Sequence, residues 1–236
     1  MEKGLAPPSL LDTYSEERLP VIKQMLQETV QMTQDILAEN RDAATLKAAW
    51  QRGSHLKQFG INYRWSSIVF DERYASPDAA HAESGALNAY GTEGDVVRAG
   101  DRAPNATGLV RLDQGADTQT TDLFSIFGPT HHTALVFSSV TSAIEPILKS
   151  LKAYPPGTIS SAVVCPRLAP ASLACGLDGA DLVVQDSDGF AFTGYNMPED
   201  QSTVVIVRPD GVVGAVVHHI DGIVEYFGPI FSASAT

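Results

Sequence analysis

Apolar and polar positions follow different rhythms along this chain, and each rhythm predicts a different element. From Pro20 to about Asn40, the positions Ile22, Met25, Leu26, Val30, Thr33, Ile36 and Leu37 recur at three- and four-residue steps. That spacing places them on one side of a helix of about five turns, a single face to bury. Upstream, Asp12, Thr13 or Ser15 can cap, Glu16 and Glu17 suit a first turn, and Pro20 precedes the regular run. A shorter helix is predicted over 43–53, where Leu46, Ala49 and Trp50 share a face.

The period then changes. In GINYRWSSIVFDE, Ile61, Tyr63, Trp65 and Val69 fall on one side, with Ile68 and Phe70 on the other, which predicts a strand. Residues 74–95 are rich in Ala, Gly, Ser and Asp and read as a connection, with a domain boundary near Gly94. The chain thus divides into 1–94 and 95–236. The stretch VVRAGDRAPNATGLVRLDQG is turn-heavy, and TALVFSS and ISSAVVCP read as buried strands. TSAIEPILKSLKAY between them reads as a helix that tolerates Pro146 only in its first turn. DLVVQDSDGFAFTGY is a strand or a short helix-to-turn passage. STVVIV and VVGAVVHH flank RPDG, whose Pro-Asp-Gly is a tight-turn signal, so they form a hairpin, and IDGIVEYFGPIF closes with a short helix. The predicted class is α/β: a thioredoxin-like domain with a mixed central sheet and helices on its faces, preceded by a long helix and a short β-containing segment.

Composition narrows the partners. The 236 residues are 44% hydrophobic and 19% charged, which is globular. A formal charge of −12 repels phosphate backbones, so no nucleic acid is expected as partner. No window approaches about 18 consecutive apolar residues, so no membrane span is expected. MEKGLAPPSL lacks a basic stretch followed by an apolar core, and Cys165 and Cys175 are too few for a disulfide scaffold, so the expected address is the cytoplasm.

Candidate chemistry is sparse. Cys165 and Cys175 could pair, or Cys175 could react, but a buried cysteine is usually a small hydrophobe. The pairs His131–His132 and His218–His219 point to opposite faces of a strand, so a metal site requires one histidine from each to converge. Asp113, Asp117 and Asp122, then Asp178, Asp181, Asp186 and Asp188, form acidic clusters. DSDG is similar to the start of a calcium loop, but the glutamate that completes such a loop is missing from its offset, which favours a solvated turn. Tyr63 and Trp65 offer either an aromatic ligand or partner surface, or core packing against the long helix; packing is the favoured reading.

Taken in order, several motifs resemble one family. LLDTYSEERLPV is similar to the stretch that closes the FAD-binding part of flavin-dependent aromatic hydroxylases of the phenol hydroxylase type, with Leu11, Tyr14, Glu17, Arg18 and Pro20 matching. GINYRWSSIVFDE resembles the segment that follows there. AGDRAPNA through DLFSIFGPTHHTALVF resembles the entry to that family's C-terminal thioredoxin-like dimerisation domain, and VVIVRPDGVVGAVV its penultimate hairpin. The resemblance covers essentially the whole chain.

The family's FAD-binding Gly-x-Gly-x-x-Gly loop has no counterpart in this sequence, and its later Gly-Asp motif would precede Glu2. No cofactor and no metal are therefore expected. Where an active thioredoxin carries Cys-x-x-Cys, the chain has Ser138, Ser139, Val140 and Thr141, so that domain is expected to be redox-silent. The resemblance implies a non-catalytic relative acting as a homodimer, on a full-length flavin hydroxylase, or on a small aromatic ligand. Its candidate surface is Tyr63 and Trp65, with Tyr14 and Arg18 of the helix motif. The alternatives are a cofactor-independent enzyme, with a histidine base acting on an aromatic or polyketide-like compound, and a truncated FAD-dependent monooxygenase.

Overall fold

The computed structural model describes residues 4–37, 60–74, 88–91, 96–112, 120–169, 177 and 179–231. A 3-10 turn, Pro8–Leu11, leads into α1, Asp12–Leu37, a helix of 26 residues. Apolar periodicity predicts a start at Pro20, yet Pro20 lies inside α1. A proline there removes the N–H that would bond the Glu16 carbonyl. The indole Nε1 of Trp65 donates to that carbonyl at 3.0 Å, so the helix passes through the proline without an orphaned acceptor. The helix predicted over 43–53 and the boundary near Gly94 lie outside the described residues.

Residues 61–69 are not the predicted strand. They form successive turns, with Ser66 N donating to the Tyr63 carbonyl and Val69 N to the Ser66 carbonyl, and only β1, Phe70–Asp71, is extended. The serines decide this locally. Ser66 Oγ donates to Glu17 Oε1 at 2.7 Å, and Ser67 donates through N and Oγ to the Glu16 carboxylate at 2.7 and 2.6 Å. Carboxylates from α1 thus supply the acceptors that a neighbouring strand would otherwise provide.

The remainder is a three-layer α/β domain. Its strands are β2 (Leu109–Arg111), β3 (Thr120–Thr121), β4 (His132–Phe137), β5 (Ile159–Cys165), β6 (Leu182–Asp186), β7 (Thr203–Val207) and β8 (Val213–Val217). The helices are α2 (Leu123–Ile126), α3 (Thr141–Leu151), α4 (Phe190–Gly194) and α5 (Ile220–Phe227). With β1 they make one eight-stranded sheet in the order β1-β8-β7-β4-β5-β6-β2-β3. β4, β5 and β6 run parallel, while β7 is antiparallel to both β4 and β8. The sheet is mixed as predicted, and the hairpin and closing helix stand where the sequence placed them. β2 and β3 are additions: each is three residues or fewer, too short to show a period. DLVVQDSDGFAFTGY is both a strand and a helix, β6 followed by α4. Pro146 sits in the second turn of α3, not the first, on an exposed face where water can bond the carbonyl it frees.

Alternation along the strands divides the core. Ala134, Val136, Val163, Val204 and Ile206 pack under α3 and α5, and Leu135, Phe137, Val164, Val205 and Val207 pack under α2 and α4. On the first face His132 lies among aromatic rings, with centroid distances of 6.0 Å to Tyr226, 5.3 Å to Phe227 and 6.1 Å to Phe231.

The N-terminal helix is fastened to the hairpin turn. Arg208 Nη1 donates to Glu17 Oε1 at 2.6 Å and Nη2 to Oε2 at 3.0 Å, and both side chains are largely buried. Asp210 holds the other edge of the same guanidinium, at 3.2 Å from Nε and 2.6 Å from Nη2. AGDRAP (Ala99–Pro104) runs beside that turn: Gly100 N donates to the Val213 carbonyl, Val213 N to the Asp101 carbonyl, and Ala103 N to the Gly211 carbonyl. Gly100 has φ +96°, and a Cβ there would lie 2.5–2.7 Å from backbone atoms of Tyr63 and Arg64, so only glycine lets these strands of chain cross. Arg64 then clamps Asp101 in a fork, at 2.7 and 2.9 Å.

Three outcomes follow from this packing. Arg208→Met should cost about 3 kcal/mol in urea unfolding because it strands a buried carboxylate, while Glu17→Leu combined with Arg208→Met should recover most of the loss. Trp65→Phe should cost about 1–2 kcal/mol by orphaning the Glu16 carbonyl. Adding Pro20→Ala should restore stability, since it returns the missing N–H to that carbonyl; failure to rescue refutes the assignment. Burial pushes the His132 imidazole down from 6.5 to about 4. Within that window the unfolded chain binds a proton that the folded chain refuses, so stability falls as pH drops through it, by at most on the order of 3 kcal/mol. Unfolding measured across that range should flatten in His132→Phe.

Candidate functional site

The end of the sheet where β4 enters α3 is where a thioredoxin would carry its thiols. Ser138 and Ser139 follow β4, Val140 precedes α3 and Thr141 opens it. Ser138 is buried; its Oγ lies 2.7 Å from Ser202 Oγ and accepts the Val140 amide at 3.1 Å. Beside it, Thr203 Oγ1 is 3.1 Å from His218 Nδ1, and the Glu72 carboxylate accepts the His218 amide. Cys165 ends β5 at this same end of the sheet, fully buried, and burial pushes its thiol up to about 11. That thiol stays protonated near neutrality and packs as a hydrophobe. Cys175 lies outside the described residues.

The histidine pairs do not converge. His132 opens β4, whereas His218 follows β8 opposite Thr203, which pairs with Phe137 at the other end of β4. The six residues of β4 separate them. Among the acidic residues, Asp122 caps α2 by accepting Ser125 N at 3.1 Å, and Asp181 accepts Ser161 N and Oγ at 2.7 and 2.8 Å. Asp186 is fully buried, not part of a solvated turn, and caps α4 by accepting the Ala191 and Phe192 amides, both at 2.9 Å. The Asp188 carboxylate leans over Gly108. Asp113, Asp117 and Asp178 lie outside the described residues.

Tyr63 and Trp65 meet edge to face, with centroids 6.2 Å apart and planes at 83°. Together with Ile61 and Met25 they pack against a small buried cluster of Val21, Ala89 and Tyr90. Arg18 Nη1 donates to the Tyr63 hydroxyl at 3.1 Å. The structure therefore gathers Tyr63, Trp65 and Arg18 under α1, where the two rings fasten the helix. Tyr14 is 70% exposed.

The largest difference from the sequence reading is which way α1 faces. Periodicity predicts that Ile22, Leu26, Val30 and Leu37 turn inward. Instead Glu17 and Val21 are the buried positions, flanked by half-buried Gln24, Met25 and Glu28. At 3.6 residues per turn, Leu26 lies about 140° around the helix from Val21. Leu19, Ile22, Leu26, Val30 and Leu37 are accordingly 64%, 41%, 55%, 54% and 68% exposed. The bond from Trp65 to Glu16 and the fork from Arg208 to Glu17 select the inward arc. Sequence reading missed Arg208 as the residue that orients the helix; the only signal was Glu17, a carboxylate adjoining the apolar run, and its partner lies 191 positions away.

No protein-family model matches the chain. It is 26% identical over 225 residues to a flavin-dependent monooxygenase of Mycobacteroides abscessus, covering 95% of this chain and 32% of that protein. It is 36% identical over 87 residues to pentachlorophenol 4-monooxygenase of Sphingobium chlorophenolicum, covering 34% of this chain and 16% of the relative. Among solved structures, the flavin-dependent monooxygenase PieE, in complex with FAD and substrate, superposes with a TM-score of 0.55 at 17% identity. That match covers 95% of this chain and 41% of PieE, and it speaks for the fold alone. The chain is thus related to flavin-dependent monooxygenases, resembles their C-terminal thioredoxin-like region, and spans about a third of the first relative's length.

Proposed function

We propose that this chain is an association module: a thioredoxin-like domain that acts by binding another protein surface, in dimerisation or on a flavin-dependent monooxygenase, without redox chemistry of its own. One observation carries the reading. α1 is held by its mixed arc through a buried ion pair and an aromatic pair, and its apolar stripe is turned away from the domain that holds it. Exposed contiguous apolar surface of this kind marks interaction sites in soluble proteins. The sheet end supports the same reading: Ser138 is closed on Ser202, and the Cys165 thiol is protonated and buried.

Sedimentation velocity of the full chain, alone and with a flavin-dependent monooxygenase polypeptide, tests the proposal. A sedimentation coefficient that rises with concentration or with the added partner is the expected result. A monomer under every condition, or oxidation of a reduced nicotinamide cofactor by the chain alone with added FAD, would overturn it.

A further inference from the structure

α1 is fastened to the other described residues mainly by polar groups. Of its 26 residues, Glu17 and Val21 are the buried ones. Val21 belongs with Ala89 and Tyr90 to a small apolar cluster, separate from the two that fill the faces of the sheet. Trp65 and Ser67 donate to Glu16, Ser66 and Arg208 donate to Glu17, Arg18 donates to Tyr63, and the Ala89 amide donates to Gln24 Oε1 at 2.8 Å. These bonds fall within residues 16–24, about two and a half turns of a helix of about seven. We propose that α1 is a strap that opens as one unit, leaving the sheet domain while the sheet and the turn segment at 61–67 stay folded.

What α1 leaves behind has support of its own. Tyr63 N donates to the Gly100 carbonyl at 2.7 Å and Arg64 holds Asp101, so the turn segment stays on AGDRAP. Ile68 and Phe70 pack against the sheet core. Leu10 packs there too, which makes the Pro8–Leu11 turn the pivot. Arg208 keeps Asp210, 2.6 Å from Nη2, and gains water where Glu17 stood. Segments with few buried apolar contacts open at lower free energy than the whole fold. For α1 the opening is all-or-none. As the helix lifts, the Glu16 carbonyl loses the Trp65 N–H, and Pro20 supplies none in its place, so the released helix is broken in its third turn. A helix on its own is also marginal in water, so undocking and melting coincide. The closed strap covers one edge of the Arg208 guanidinium and the Tyr63–Trp65 pair, and the open one bares both. The opening involves the inward arc of α1 and is independent of the association reading above.

Hydrogen exchange of the full chain tests the strap. Amides of α1 should share one protection factor, about 100-fold or more below that of β4 and β5. Arg208→Met should lower it about 100-fold further while β4 and β5 remain protected, and Glu17→Leu combined with Arg208→Met should restore much of it. A second measurement leaves the joint unaltered. In Trp50→Phe protein, Trp65 is the one remaining tryptophan. Its emission should shift to the red at lower urea than the main loss of far-UV circular dichroism. Equal protection in α1 and the sheet would overturn the proposal, as would urea curves that coincide. An α1 that keeps its protection in Arg208→Met would overturn the joint as its latch.

Discussion

The fork between Glu17 and Arg208 is the constraint on which the arrangement of this chain depends. Glu17 belongs to the first helix and Arg208 to the last hairpin, and both lose most of their contact with water. Desolvating two charges is costly, and an ion pair of this kind adds little net stability over an apolar pair of equal volume. What it adds is direction. A guanidinium has five donors in a fixed plane, and here Glu17 takes one edge and Asp210 the other. Ser66 supplies a further donor to Glu17, so the turn segment before β1 enters the same joint. Any rotation of α1 about its axis breaks all of these bonds together.

Several of the stretches that resemble the hydroxylases meet at this joint. Glu17 and Arg18 lie in LLDTYSEERLPV, Tyr63, Trp65 and Ser66 in GINYRWSSIVFDE, Gly100 and Asp101 in AGDRAP, and Arg208 in the hairpin. They are dispersed along the chain and meet at one place. Arg18 reaches the Tyr63 hydroxyl, Trp65 closes the gap opened by Pro20, and Gly100 permits a backbone crossing that any Cβ would obstruct. At this joint the motifs act as fasteners between elements.

Much of the domain was legible because its elements are buried on a regular period. ISSAVVC, HTALVF and the RPDG hairpin are apolar runs bounded by turn residues, and local chemistry suffices to place them. The segment from Ile61 to Val69 was not legible, because its alternation imitates a strand while its serines bond to carboxylates some fifty positions away. The capping residues mark the start of α1 near Asp12, where it begins, whereas the apolar run starts only at Pro20, because a proline in mid-helix is tolerable only when something else bonds the freed carbonyl. Neither Trp65 nor Arg208 announces such a role in sequence. Of the candidate surface, Tyr63, Trp65 and Arg18 come together as packing partners of α1. The stripe that faces outward was read as core.

That inversion follows from how helix faces are chosen. An apolar stripe finds the nearest apolar surface unless a specific polar contact outweighs it. On α1 the five exposed side chains are each worth about 1.5–3 kcal/mol if fully buried. Turning them inward would expel Glu17 and leave Arg208 buried without its partner, which costs about 3–5 kcal/mol, and the burial energy would be regained only against an apolar surface. The sheet also has little apolar surface to offer on this side, because β1 is two residues long and the turn segment presents Ser66 and Ser67 to the helix. The joint holds the position because the described residues on that side offer donors for Glu16 and Glu17 and little apolar surface for the stripe. Left exposed among the described residues, the stripe keeps its hydrophobic driving force.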